Sequence, residues 1–275
     1  MASAAFFDLD KTVIAKASVA AFGGPFRRGG LITRRVVARA LLGQLVFLHL
    51  GADQHRLSRI RETMLSLTEG WDRAEVRSIV QRALHETIEP IIYTEALAQI
   101  REHREAGHRV YLVSASPAEL VEPLAEMIGA DGAIASRGEL DDQGRYTGRM
   151  ELYASGPVKA EEVRSLAARA GIDLATSFAY SDSATDLPML ELVGHPVAVN
   201  PDRALARVAR SRQWEIRTFT KPVRLRNRLS LRVPALTGGV VAAAALLGWH
   251  HARRADRQPR PIAQCRPPST PAGAH

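Results

Sequence analysis

The chain has 275 residues, of which 46% are hydrophobic, so it can bury the core of one full-sized domain and a smaller one. Its net charge of +8 is unevenly distributed. Residues 1–220 carry 27 basic and 28 acidic side chains, whereas residues 221–275 carry ten basic side chains and one acidic side chain. This argues against nucleic acid as a substrate of the folded part. With one cysteine, Cys265, no internal disulfide can form, and no signal-peptide pattern opens the chain, so we expect a cytoplasmic protein.

The chain starts with a predicted strand and continues with predicted helices. Residues 4–10 form an apolar run that ends in Asp8-Leu9-Asp10 and is typical of a buried strand. From about residue 18 to residue 89, apolar residues recur at helical spacing, which predicts helices over 31–50, 54–69 and 72–88, with Asp72 as a helix cap. We interpret residues 18–89 as a helical cap that covers the strand ends.

From residue 90 to residue 220 strands and helices alternate. Predicted strands lie at 109–113, 132–136, 177–181, 196–199 and 215–219, and predicted helices at 94–106, 117–128, 158–170, 186–192 and 202–210. A turn at 141–144 predicts a small hairpin within residues 139–151. The alternation predicts an α/β fold, a Rossmann-like, doubly wound and mostly parallel sheet with an inserted all-helical cap. Residues 1–17 and 90–220 would form its catalytic core.

Residues 221–275 form a basic tail. Within it, residues 233–249 carry no charge and are flanked by arginines on both sides. This length is the lower limit for a membrane span, and the segment is rich in alanine and glycine, so a membrane span and an interfacial helix both stay open. Any membrane contact is expected within residues 221–257, and the end from about residue 258 is predicted to be disordered. Nothing in the sequence indicates an oligomeric state.

Four groups of polar residues fall at the carboxyl ends of predicted strands or at the start of the next helix. These are Asp8 with Asp10, Ser114, Lys159, and Asp182 with Asp186. Because the carboxyl ends of parallel strands meet at one edge of a sheet, we expect one site. Each residue also has an ordinary interpretation, as a solvated strand end, a helix cap or a surface lysine. The chain has only four lysines against 33 arginines, which favours a specific role for Lys159.

The chemistry of this set is that of phosphoryl transfer through a covalent intermediate. One carboxylate can attack phosphorus, while a second protonates the leaving alkoxide and later activates water. Hydroxyl and ammonium donors together with a divalent cation neutralise the phosphoryl oxygens. Oxygen ligands from Asp8 and Asp182 suit Mg²⁺. A site closed by a cap suits a small-molecule phosphomonoester.

The motifs around these residues resemble those of the haloacid dehalogenase superfamily, in its phosphoserine-phosphatase-like branch with a helical cap. The matching segments are residues 6–12, residues 112–116, Lys159 and residues 180–190. The resemblance implies a phosphatase in which each residue has a role. Asp8 would be the nucleophile, Asp10 the general acid/base, Ser114 and Lys159 the phosphate ligands, and Asp8, the Asp10 carbonyl and Asp182 the Mg²⁺ ligands, with Asp186 supporting.

Two features bear on the substrate. Phosphoserine phosphatases have an acidic residue early in the cap that pairs with the substrate amino group, whereas this chain has no Asp or Glu between Asp10 and Asp53. We therefore expect phosphoserine to be a poor substrate. Residues 23–30 are a candidate specificity loop in which Arg27 and Arg28 bind an anionic group, and a hinge with solvated arginines is the alternative.

Two other functions stay open. A phosphotransferase would use the same covalent intermediate but pass the phosphoryl group to an acceptor alcohol instead of water. A membrane-tethered regulatory protein would only bind phosphate at the same residues.

Overall fold

The structure is a computed structural model that describes residues 2–31 and 68–220. The tail, with its apolar segment 233–249, and almost all of the predicted helices 31–50 and 54–69 lie outside the described residues. No helix of the described part is long and apolar enough to cross a membrane.

The predicted alternation of strands and helices is confirmed in the described residues. The strands are β1 Ala4–Asp8, β2 Arg109–Pro117, β3 Gly132–Leu140, β4 Tyr146–Leu152, β5 Phe178–Ser181, β6 His195–Val199 and β7 Glu215–Arg217. The α-helices are α1 Ser18–Arg28, α2 Arg73–Thr87, α3 Thr94–Glu105, α4 Ala118–Ile128, α5 Pro157–Ala170, α6 Leu187–Leu190 and α7 Arg203–Ser211. Short 3₁₀ turns lie at Glu89–Ile91, Leu174–Thr176 and Ala184–Asp186.

The strands form one sheet in the order β4-β3-β2-β1-β5-β6-β7, parallel except for β4, which runs antiparallel to β3. The predicted Rossmann-like, doubly wound α/β fold is therefore confirmed. Strand β1 lies at the centre, with β2 on one side and β5 on the other. At this point the connections diverge and leave a crevice beyond the carboxyl ends of the strands. Asp8, the last residue of β1, lies at this edge opposite Val113 of β2.

Both faces of β1 are buried, which explains its unbroken apolar sequence. Successive strand residues point to opposite faces, so Phe7 and Phe6 enter different cores. Phe7 belongs to the core that contains Leu124 of α4, and Phe6 belongs to the core that contains Val163 of α5 and Leu205 of α7. The strand that carries Asp8 is thus held by packing from both sides.

Strand β1 ends at Asp8, two residues earlier than predicted. The Leu9 carbonyl accepts the backbone N–H groups of Val13 and Ile14, each at 3.0 Å, and so closes a tight turn. Within this turn Lys11 has a left-handed φ of 62°. Asp10 therefore reaches the site from a turn, and strand alternation does not determine its direction.

The prediction of a glycine-rich loop at residues 23–30 is wrong, because most of this segment belongs to helix α1. Phe22 and Phe26, one helical turn apart, are both buried, and their ring centroids lie 6.0 Å apart. Phe26 also lies 6.3 Å from the ring of Trp71. Burial of this aromatic pair outweighs the low helix propensity of the neighbouring glycines and proline.

Helix α2 begins as predicted, at a cap formed by Asp72, whose carboxylate accepts two backbone N–H groups at 2.8 and 3.1 Å. The segment before it pairs with the hairpin of β3 and β4, because Gly70 N donates to the Tyr146 carbonyl at 2.8 Å. Arg73 Nε also donates to the buried Glu119 of α4 at 2.9 Å. These contacts join the inserted helices to the sheet, while the division into core and cap stays a prediction.

Candidate active site

Lys159 occupies the crevice at the end of β1 as a buried side chain. It lies in the first turn of α5, which starts at Pro157 after Gly156 adopts a positive φ of 56°. Its Nζ donates to Asp8 Oδ1 at 2.6 Å and to Asp186 Oδ2 at 2.8 Å. The interpretation of Lys159 as a solvated surface lysine is therefore wrong.

The buried site carries more acidic than basic groups. Burial raises the pKa of Asp8 to about 7, with Lys159 opposing the shift and Asp186 and Asp182 adding to it. Burial also raises the pKa of Asp182 to about 6, against the opposing charge of Lys11. For Lys159, burial alone would lower the pKa, but the Asp8 and Asp186 carboxylates outweigh burial and raise it. The arrangement therefore favours an additional cation.

The loop after β5 presents Asp182 and Asp186 in different ways. Ser181 Oγ donates to Asp186 Oδ2 at 2.7 Å, so Asp186 is held toward Lys159 and positions that ammonium. The Asp182 carbonyl accepts Asp202 N at 2.7 Å, and Asp202 Oδ2 in turn accepts Ala184 N at 3.0 Å. The loop is thus braced from α7.

Asp10 is held by two serines that the motifs do not identify as site residues. Ser18 N donates to Asp10 Oδ1 at 2.8 Å, and Ser116 Oγ donates to Asp10 Oδ2 at 3.3 Å. The two serine hydroxyls lie 2.7 Å apart. One signal was available for Ser116, since it lies two residues after Ser114 along β2 and alternation places both side chains on one face.

Ser114 lies where it was predicted, buried near the end of β2. Its Oγ accepts Ser116 N at 3.1 Å. Ser116 does not cap the helix that follows, because Pro117 is the cap residue of α4 and no side chain bonds there. Ser136 of β3 stabilises the end of β2, because its Oγ donates a hydrogen bond to the Ala115 carbonyl at 2.7 Å.

Arg27 and Arg28 lie in the last turn of α1 and are exposed. Arg28 lines a surface groove together with Ile79 and Arg82 of α2. No hydrogen bond or ion pair among the described residues joins either arginine to the Asp8 site. Their role in substrate binding stays a prediction.

The donor set fits Mg²⁺. In the described ranges no three His, Cys, Asp or Glu side chains are arranged to hold a metal ion by themselves. Mg²⁺ does not require such a cage, because it usually binds one or two carboxylates and keeps water and phosphate oxygens as its other ligands. Burial raises the pKa values of Asp8 and Asp182, and a divalent cation beside them would offset that shift.

A family model described as haloacid dehalogenase-like hydrolase matches residues 5–191, which include every predicted site residue. The chain is 49% identical over 263 residues to the inhibition of morphological differentiation protein of Streptomyces azureus, with 92% of this chain and 95% of that protein covered. A probable phosphatase of Mycobacterium tuberculosis is 45% identical over 246 residues, with 90% and 84% covered.

A phosphoserine phosphatase of Mycobacterium tuberculosis is 37% identical over 252 residues, with 89% of this chain and 80% of that protein covered. Among solved structures, a Bordetella pertussis protein of unknown function is 28% identical with a TM-score of 0.69, covering 79% of this chain and 98% of that chain.

Proposed function

Because this chain belongs to the haloacid dehalogenase-like hydrolase family and is a phosphoric monoester hydrolase, we propose that it cleaves a small phosphomonoester through a phosphorylated Asp8. One observation carries the proposal. Lys159 contacts Asp8 at 2.6 Å inside the crevice, so a nucleophilic carboxylate and a cation for the phosphoryl oxygens stand together. Asp8 Oδ2 accepts no hydrogen bond from a described residue and is the oxygen that remains for attack.

In the first step, Asp8 Oδ2 forms a bond to phosphorus as the ester P–O bond breaks. The departing alkoxide takes a proton from Asp10 and leaves as the alcohol. Ser114 Oγ and Lys159 Nζ hold the phosphoryl oxygens through hydrogen bonds to the charge that develops there. The products of this step are the free alcohol and an aspartyl-phosphate.

In the second step, Asp10 acts as a base. Its carboxylate takes a proton from water, and the water oxygen attacks phosphorus while the bond to Asp8 breaks. Inorganic phosphate leaves, and Asp8 is again a free carboxylate. Asp10 retains the proton that it took from water and can protonate the next leaving group.

Mg²⁺ is proposed to be held by Asp8, the backbone carbonyl of Asp10 and Asp182. When bound, it supplies positive charge that stabilises the phosphoryl oxygens and the ionised form of Asp8. Asp186 supports the site by fixing Lys159.

The proposed substrate is a small phosphomonoester other than phosphoserine. The 37% identical relative is named a phosphoserine phosphatase, which makes phosphoserine the first compound to compare. Against it, no acidic residue lies between Asp10 and Asp53 to pair with a substrate ammonium. The buried Glu119 near the site is already paired with Arg73 at 2.9 Å.

The test is phosphate release from a panel of small phosphomonoesters with Mg²⁺, for the wild type, Asp8→Asn and Asp10→Asn. We expect turnover by the wild type, none by Asp8→Asn and strongly reduced turnover by Asp10→Asn, with phosphoserine among the poor substrates. Binding of phosphate without turnover of any ester would support the regulatory alternative. A phosphorylated product that forms when acceptor alcohols are added would support the phosphotransferase.

The membrane contact proposed for residues 221–257 lies outside the described residues. One observation supports it, namely that Arg203, Arg207 and Arg210 are exposed along one side of α7, the last described helix. None of the three forms an ion pair with another described residue. Exposed arginines of this kind favour contact with an anionic lipid surface. A cytoplasmic location of the domain stays a prediction.

A further inference from the structure

We propose that Ser116 and Ser18 are positioning residues that aim the carboxyl group of Asp10 at the leaving group. The inference rests on the proposed function, because it takes Asp10 as the acid that protonates the departing alkoxide. Neither serine contacts the phosphoryl group in this account. Their effect passes through the orientation of Asp10.

The hydrogen bonds between these residues run in one direction. A serine hydroxyl has a single proton, and Asp10, in the ionised form that acts as the base of the second step, can only accept hydrogen bonds. Since Ser116 Oγ donates to Asp10 Oδ2 at 3.3 Å, it must accept the proton of Ser18 Oγ across the 2.7 Å contact. Ser18 N donates to the other oxygen, Asp10 Oδ1, at 2.8 Å. Each oxygen of Asp10 is therefore held by a different serine.

The serine end of this chain of hydrogen bonds is shielded from solvent, whereas Asp10 is half-buried. The exposed fraction is 1% for Ser18 and 5% for Ser116. Water therefore cannot readily replace a lost serine hydroxyl, and hydrogen bonds in such a site fix geometry more strictly than exposed ones do. Without the hydroxyl of Ser116, the carboxyl group of Asp10 would be held only at Oδ1, by Ser18 N.

The serines also connect three parts of the molecule. Ser18 is the first residue of α1 and thus of the insertion, Ser116 belongs to β2, and Asp10 lies in the turn after β1. Ser116 N is itself held by Ser114 Oγ at 3.1 Å. The orientation of Asp10 consequently depends on the start of the insertion and on the same strand end that carries the phosphate-binding serine.

The chemical consequence depends on the leaving group. An alkoxide is a poor leaving group and needs a proton as the P–O bond breaks, whereas p-nitrophenolate leaves readily without one. A misdirected Asp10 should therefore slow alkyl phosphates much more than p-nitrophenyl phosphate. A merely structural role of the serines would slow both substrates equally.

The experiment compares kcat/KM of the full chain with Mg²⁺ on p-nitrophenyl phosphate and on the best alkyl phosphate from the panel. The variants are Ser116→Ala, Ser18→Ala and the conservative Ser116→Thr. Ser177→Ala is the matched control, because Ser177 is fully buried and its Oγ bonds the Asp173 carbonyl at 2.6 Å and Ala4 N at 3.0 Å, at the amino end of the sheet.

We expect Ser116→Ala to lower kcat/KM about tenfold or more on the alkyl phosphate and less than about threefold on p-nitrophenyl phosphate, because kcat/KM reports formation of the aspartyl-phosphate and not its hydrolysis, which both substrates share. Ser116→Thr should restore most of the loss, and Ser177→Ala should not separate the two substrates. Equal losses of kcat/KM on both substrates, or no loss, would overturn the inference while leaving the phosphatase intact. A wild type inactive on both esters would overturn the proposed function and this inference with it.

Discussion

The ammonium group of Lys159 lies between two buried carboxylates, 2.6 Å from Asp8 Oδ1 and 2.8 Å from Asp186 Oδ2. Removing one member of a buried ionic cluster leaves the remaining charges uncompensated, which costs more than the cluster itself contributes. Loss of the Lys159 ammonium should therefore destabilise the folded protein as well as impair the proposed chemistry.

Replacing this lysine should destabilise the protein in a pH-dependent way. We expect Lys159→Met to lower the free energy of unfolding by about 3 kcal/mol near pH 8, where Asp8 is ionised. The loss should be smaller near pH 5, because the raised pKa of about 7 lets Asp8 take up a proton there. Urea unfolding at both pH values measures the difference. Lys16→Met, at an exposed lysine, is the control and should change little.

Mg²⁺ should stabilise the folded protein, and more at high pH than at low pH. Asp8 and Asp182 have pKa values raised to about 7 and about 6, so they are ionised near pH 8 and largely protonated near pH 5. We expect millimolar Mg²⁺ to raise the melting temperature near pH 8 and to have little effect near pH 5. Calorimetry at constant ionic strength gives the shift. An equal shift in Asp182→Asn would contradict the proposed ligand set.

The buried histidine on α3 should make the protein less stable in acid. His103 contacts Tyr180 Oη at 2.8 Å and His108 Nδ1 at 2.9 Å, and burial, assisted by His108 and Arg217, lowers its pKa to about 4. In the unfolded chain its pKa is about 6.5. As the pH falls, the unfolded state therefore binds a proton before the folded state does. The contribution of neutral His103 to the free energy of unfolding is fully present above about pH 6.5 and is lost toward pH 4, by at most about 3 kcal/mol.

The variant His103→Gln keeps hydrogen-bonding groups but cannot titrate. Its free energy of unfolding should change less than that of the wild type between about pH 6.5 and pH 4. The difference between the two pH profiles gives the contribution of His103 alone. Asp8 and Asp182, whose raised pKa values favour the folded state at low pH, contribute equally to both profiles. Parallel profiles would show that His103 is not the group responsible.

Removal of the tail should separate catalysis from membrane contact. We expect a chain of residues 1–220 to retain phosphatase activity within about twofold, because every proposed site residue lies before residue 221. The full chain should sediment with vesicles containing anionic lipid, and the shortened chain should do so much less. Vesicles of neutral lipid are the control. Equal sedimentation of both chains would contradict the tail as the contact region.

Most of the sheet and most of the candidate site could be predicted from local patterns. The apolar run before Asp8, the alternation after residue 90 and the rule that parallel strands end at one edge located Asp8, Ser114, Lys159 and Asp182. These features depend on residues near one another in the chain.

The features that were missed depend on contacts between distant segments. The hydroxyl oxygens of Ser18 and Ser116 lie 2.7 Å apart, although the two residues are 98 positions apart in the sequence. No motif spacing predicts such a pair. The helix at residues 18–28 was predicted in part as a loop, because Gly23, Gly24 and Pro25 have low helix propensity. Burial of Phe22 and Phe26 against tertiary neighbours reversed that preference.

The most direct test of the account is to trap the phosphorylated enzyme. In a single turnover with a ³²P-labelled phosphomonoester and Mg²⁺, quenched in acid, the wild type should carry label on the peptide that contains Asp8, and hydroxylamine should release it. With ³²P-labelled p-nitrophenyl phosphate, whose leaving group needs no proton, Asp10→Asn should accumulate more label because hydrolysis is the step that is slowed, and Asp8→Asn should carry none. Turnover by Asp8→Asn, or turnover by the wild type with label on another residue, would contradict Asp8 as the nucleophile.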